Sequence, residues 1–124
     1  MFSERTSVGL DVRARSIVVC ALDTVTGQTA QRRLVPSADA ALDWLRELPA
    51  PAAVAYEAGP TGFELARQLT AAGVRCVVAA PSTLQRPAGD RIKTDARDGL
   101  LLARLLRMDH IVEVRVPKRG AGSR

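Results

Sequence analysis

Two β-branched runs, TSVGLDV at 6–12 and SIVVCALD at 16–23, are separated only by the polar triplet Arg13-Ala14-Arg15. So short a link between such runs is a β-hairpin pattern. A third run, QTAQRRLV at 28–35, follows the Thr26-Gly27 turn and alternates more polar, as an edge strand does. The period then changes. Ser37 is placed to cap a helix over 38–48, with Ala41, Leu42, Leu45 and Leu48 on one face, and Pro49-Ala50-Pro51 ends it. AAVAYEA at 52–58 is an apolar run expected as a buried strand, closed by Gly59-Pro60. Thr61 and Glu64 form a T-x-x-E capping box opening a helix to about Ala72, with Gly73 as its stop. VRCVVAA at 74–80 is a fifth strand and 81–93 a loop. Thr94 caps a last amphipathic helix to about Met108, with Leu101, Leu102, Leu105 and Leu106 toward the core. A short strand is expected at 111–116.

Three antiparallel strands followed by right-handed αβ units predict an α/β fold: a mixed sheet in the order 3-2-1-4-5 with helices on both faces. Strands 1 and 4 are then parallel neighbours. Cys20 and Cys76 fall on non-adjacent strands, which predicts two buried free thiols. With 124 residues, 47% hydrophobic and 25% charged, the chain has the composition of one globular domain, taken as residues 1–117 with a frayed basic tail at 118–124. No apolar run approaches the ~18 residues that span a bilayer, and the first residues lack the apolar core of a secretory signal. The expectation is a cytoplasmic protein with no membrane partner.

The formal net charge of +5 is unevenly placed. Residues 1–83 balance, and the whole excess lies in 84–124, almost all of it arginine. Arginine forks match phosphate bidentately, so this segment suits a polyanionic partner; it equally suits a solvated face. With only Phe2, Trp44, Tyr56 and Phe63 aromatic, the composition argues against a base-stacking platform for single strands.

Four carboxylates stand out. Asp11 lies in VGLDV on the face of Gly9 and Ser7, and Glu57 closes AAVAYEA. If strands 1 and 4 are parallel neighbours, these acids end side by side at the sheet edge where open α/β sheets carry their sites. Two carboxylates ~5 Å apart repel unless a cation or proton joins them. Asp95 and Asp98, spaced i, i+3 at the start of the last helix, leave one helix face. Each acid has a plain structural reading as well. Arg13 can simply pair with Asp11, and acids in a first helical turn suit the macrodipole. Asp90 in the preceding loop is a rival third ligand. Hard divalent cations, Mg²⁺ or Mn²⁺, take such oxygens, and two of them can clamp both oxygens of a phosphodiester displacement. His110, the only histidine, falls near a helix end, where binding the last carbonyls is its expected role.

The runs VGLDV at 8–12, YEAGPTGFELARQL at 56–69, VVAAPS at 77–82 and GDRIKTDARDGLLLARLLR at 89–107 resemble the N-terminal domain of insertion-sequence-110-type transposases. These are DEDD recombinases with a RuvC-like, ribonuclease-H-like fold. The resemblance runs from about Thr6 to Pro117 and keeps the family's KTDxxD signature. It implies that Asp11, Glu57, Asp95 and Asp98 are the catalytic, metal-binding set for Mg²⁺- or Mn²⁺-dependent DNA strand cleavage and rejoining. Arg86, Arg91, Lys93 and Arg97 are the nucleic-acid contacts expected beside them. It further implies a structured guide RNA, a homo-oligomer in the full-length protein, and a second domain bearing a serine nucleophile. That domain is expected to be missing after Arg124, leaving the fragment inactive alone.

Two other functions are weighed against this one. A non-catalytic remnant would hold RNA or DNA through residues 84–124, with salt-sensitive affinity that survives loss of the acids. An actin-like or sugar-kinase ATPase would share the opening hairpin, but it needs glycine in the turn after the first acid. Here that turn is Val12-Arg13-Ala14-Arg15.

Overall fold

The computed structural model describes residues 2–59, 62–81 and 95–117, the side chains of 95–98 excepted. Its strands are β1 (Thr6–Val12), β2 (Ile17–Asp23), β3 (Thr29–Leu34), β4 (Ala52–Glu57), β5 (Arg75–Ala79) and β6 (Glu113–Val114). Its helices are α1 (Ala38–Leu45), α2 (Glu64–Ala71) and α3 (Asp95–Arg107). They build an α/β fold on one sheet ordered β3-β2-β1-β4-β5-β6. β1, β4 and β5 run parallel, and β2, β3 and β6 are antiparallel to their neighbours. The order 3-2-1-4-5 expected from the sequence is present and is extended by one strand. After α3 the chain returns along β5, where Ala80 N–H donates to Val112 O at 2.7 Å and β6 covers that edge.

Strict alternation divides the sheet into two faces. Val8, Leu10, Ile17, Val19, Val54, Tyr56 and Val78 pack against Ala41, Trp44, Leu45, Ala66 and Leu69 of α1 and α2. The opposite face carries Ser7, Gly9, Cys20, Ala53, Ala55, Val77 and Ala79, and α3 covers it with Leu102 and Leu106, lying chiefly across β1. Small side chains on this face let α3 come close. The hairpin turn closes as expected, with Arg13 N–H donating to Ser16 O at 2.9 Å. β3 is an edge strand with nearly every residue exposed.

Three local expectations change. The α-helix over 38–48 ends at Leu45, because Glu47 and Leu48 donate to Trp44 and Leu45 three residues back and tighten the last turn. Ser37 caps it as expected, accepting from Ala40 N–H at 3.0 Å. The second helix starts at Glu64, so this residue is its first helical position and not the third one of a capping box. Its cap comes from another element: Ala66 N–H, at the third position, donates to the Tyr56 hydroxyl at 3.2 Å. Thr61 lies outside the described residues. Gly73 stops α2 at φ +89°, a left-handed conformation that favours glycine. Finally, Cys20 is buried but Cys76 is half-buried; both are free thiols. The loop expected at 81–93, the Thr94 cap and the tail at 118–124 lie outside the described residues, Pro81 excepted.

Candidate functional site

β1 and β4 end together. Their parallel register runs from Thr6↔Ala52 to Leu10↔Tyr56, so Asp11 and Glu57 stand one step beyond the last paired position. They occupy matching places on adjacent strands, about 5 Å apart between backbones. Each faces the α3 side, since Asp11 follows Ser7 and Gly9 in alternation and Glu57 follows Ala53 and Ala55.

Neither acid is simply solvated. The Asp11 side chain is 18% exposed, and its Oδ2 accepts from Arg13 Nε at 3.1 Å. The structural pairing of Asp11 with Arg13 is therefore present. Oε2 of Glu57 is out of reach of solvent, and Glu57 is matched on its far side by Ala79 of β5. Cys20, on β2, reports the field on this face. Burial raises its thiol pKa most, the Asp11 charge adds to the rise, and the Leu100 backbone N–H opposes both.

α3 is registered against β1 by contacts that the sequence reading did not single out. Ser7 Oγ–H donates to Ala103 O at 2.6 Å, wholly buried. One strand repeat further, Gly9 meets Gly99. A Cβ on Gly9 would overlap the Gly99 carbonyl and stand 2.9 Å from Ala103 N; one on Gly99 would stand 2.9 Å from Cys20 Sγ. A two-residue strand step (~6.7 Å) and a four-residue helix step (~6 Å) nearly match, so the contacts stay in phase. The same ladder, extended by one step, runs from Gly9 and Gly99 toward Asp11 on β1 and toward the first turn of α3, in whose sequence Asp95 and Asp98 fall. A glycine inside a strand and another inside a helix are the sequence signal of such a close approach.

The side chains of Asp95, Asp98 and Arg97 lie outside the described set, as do Arg86, Asp90, Arg91 and Lys93 altogether. Among the described residues, no three acidic, histidine or cysteine side chains gather as a metal site. His110 is exposed; its backbone N–H, not its ring, donates to a late helical carbonyl, that of Leu105, at 2.9 Å. No described helix is long and apolar enough to cross a membrane.

No protein-family model matches the chain. Two relatives do. Over 62 residues, half of this chain, it is 52% identical to a protein of Sinorhizobium fredii named as a transposase, y4qE. Over 52 residues, 42% of this chain, it is 52% identical to the transposase for insertion sequence element IS1533 of Leptospira borgpetersenii. Both relatives are named transposases. The matched stretches span only 16% and 15% of their lengths.

Proposed function

We propose that this chain is the N-terminal, metal-binding domain of an insertion-sequence transposase of the DEDD, RuvC-like type. In this reading Asp11, Glu57, Asp95 and Asp98 hold Mg²⁺ or Mn²⁺, and DNA is the substrate. The observation that carries the transposase reading is the 52% identity to two transposases over about half the chain. The shared register position of Asp11 and Glu57 supports the metal reading, because hard oxygen donors held that close repel unless a cation lies between them.

The residues themselves then have separable tasks. Asp11 and Glu57 are fixed by a rigid parallel strand pair, so their separation is set by the sheet and not by flexible loops. An ion held by these carboxylates would supply Lewis-acid polarisation of a phosphodiester and a lowered pKa for an attacking water or hydroxyl. Arg13, on Asp11 Oδ2, neutralises the carboxylate until the ion is bound. Guide RNA, oligomeric assembly, a cytoplasmic location and a serine nucleophile in a second domain belong to the same proposal, drawn from the family resemblance.

Titration calorimetry with Mn²⁺ tests the site. The wild-type chain binds Mn²⁺, and Asp11→Asn and Glu57→Gln each weaken binding by about tenfold or more. Equal affinity in all three proteins removes the metal site and leaves the nucleic-acid-binding remnant as the better description.

A further inference from the structure

Val12 comes directly after Asp11 on β1 and, in alternation with Val8 and Leu10, faces the other side of the sheet. There it borders a cavity of about 350 Å³ between the β1–β2 turn and the starts of α1 and α2. Val12, Ile17 and Leu65 line the cavity as apolar residues, and Ser37, Glu64 and Gln68 as polar ones. Arg13 lines it too, while its Nε donates to Asp11 Oδ2 at 3.1 Å, so one side chain borders both the acid and the cavity. The polar residues are held in place. Gln68 Nε2 donates to Glu64 Oε2 at 3.1 Å, and Arg67 Nη1 stands 3.5 Å from Glu64 Oε1. Ser37 Oγ accepts from Ala40 N–H at 3.0 Å. A void left by imperfect packing is apolar all round. This one is lined in part by residues that carry a carboxylate, an amide and a hydroxyl.

We propose that this cavity takes one unpaired deoxynucleotide of a DNA strand whose adjoining phosphate lies at Asp11 and Glu57. The proposal rests on the reading that these acids act on DNA. The volume is at the small end of the ~300–1,000 Å³ typical of small-molecule sites, which suits a single nucleoside and not stacked base pairs. Consecutive Cα atoms are ~3.8 Å apart, so a strand crossing the sheet edge at Asp11 has its next nucleotide beside the cavity. A base taken out of its stack is gripped between apolar side chains and read along its edge by hydrogen bonds. Ser37 and the Glu64–Gln68 pair bring both donors and acceptors for such an edge. One base held between aliphatic side chains needs no aromatic platform. Val12, Ile17 and Leu65 carry nothing to hydrogen-bond a ribose 2′-hydroxyl, which favours DNA over RNA as the occupant.

Fluorescence anisotropy of the full chain compares labelled DNA duplexes of about 20 base pairs (two helical turns) that are blunt or carry a short unpaired overhang at the 5′ or the 3′ end. The wild type should bind one of the overhang duplexes at least about threefold more tightly than the blunt one. Ala14→Phe, which fills the cavity from its exposed edge, and Gln68→Ala should each lose most of that preference. Thr70→Ala, exposed on α2 and not lining the cavity, should keep it. A 2-aminopurine in the overhang should change its fluorescence on binding the wild type and not on binding Ala14→Phe. Circular-dichroism melts establish that each variant is folded. Equal affinity of the wild type for blunt and overhang duplexes overturns the proposal, as does absence of binding to all of them. A preference that survives in folded Ala14→Phe and Gln68→Ala overturns it too, and so does a ribonucleotide overhang bound as tightly as the deoxyribonucleotide one. Mn²⁺ calorimetry on the wild type separates this result from the metal reading. Intact Mn²⁺ binding without an overhang preference rejects the cavity alone. An overhang preference without Mn²⁺ binding rejects the metal site alone.

Discussion

Single side chains here do two kinds of work, and titration tells them apart. Asp23 ends β2 and accepts from Arg5 at 3.0 Å while also receiving the Val25 and Thr26 N–H groups of the turn. The Arg5 hydrogen bond, then the backbone donors, hold its pKa well below the usual carboxylate range. Arg75 does the same, less strongly, to Glu4. In the unfolded chain these acids titrate near 4, so on acidification the unfolded state takes up protons first. Their contribution to stability is therefore complete above about pH 4 and is lost as pH falls through the lower folded values. Thermal melts between pH 2 and 6 should show the wild type losing stability more steeply below pH 4 than Asp23→Asn, and parallel curves would contradict this. The thiols respond in the opposite sense. Burial, then the Glu113 charge, pushes Cys76 up to about 12, and burial raises Cys20, so neither is a poised nucleophile.

At the scale of elements, the proposed site draws Asp95 and Asp98 from α3, and the seat of that helix on β1 depends on two glycines. Gly9→Ala should cost about 1–3 kcal/mol in urea denaturation, since the added carbon meets backbone that cannot turn aside. Gly59→Ala, where no atom of the described residues lies within 4 Å of the added carbon, should leave stability nearly unchanged. Similar losses in both would show that the close approach is not what seats the helix. The same elements show what a linear reading can and cannot see. β1, β2, β4 and β5 were legible because each is a dense apolar run whose alternation assigns faces, and from those faces Asp11 and Glu57 could be brought together. The start of α2 was not legible. Its cap is the Tyr56 hydroxyl, ten residues back on β4, whereas a local T-x-x-E pattern suggested an earlier start. β6 was foreseen as a strand but not as the sixth member of the sheet, because its pairing with β5 depends on where α3 returns the chain.

At the scale of the molecule, charge and topology meet at one edge. The two acids lie at the carboxyl ends of β1 and β4, Arg33 stands in their row, and α3 packs on the same face of the sheet. The matched stretches are about a sixth of the lengths of the transposase relatives. What the chain is held to contribute is one ion site assembled from two strands and a helix. Paramagnetic broadening by Mn²⁺ in amide-resolved NMR of the isotope-labelled chain tests this most directly. Substoichiometric Mn²⁺ should erase the amides around Asp11, Glu57 and Asp95 to Asp98 together, at one concentration. Broadening confined to exposed helix acids such as Asp39, Asp43 and Glu47, or an α3 first turn untouched while Asp11 and Glu57 vanish, would contradict the single site.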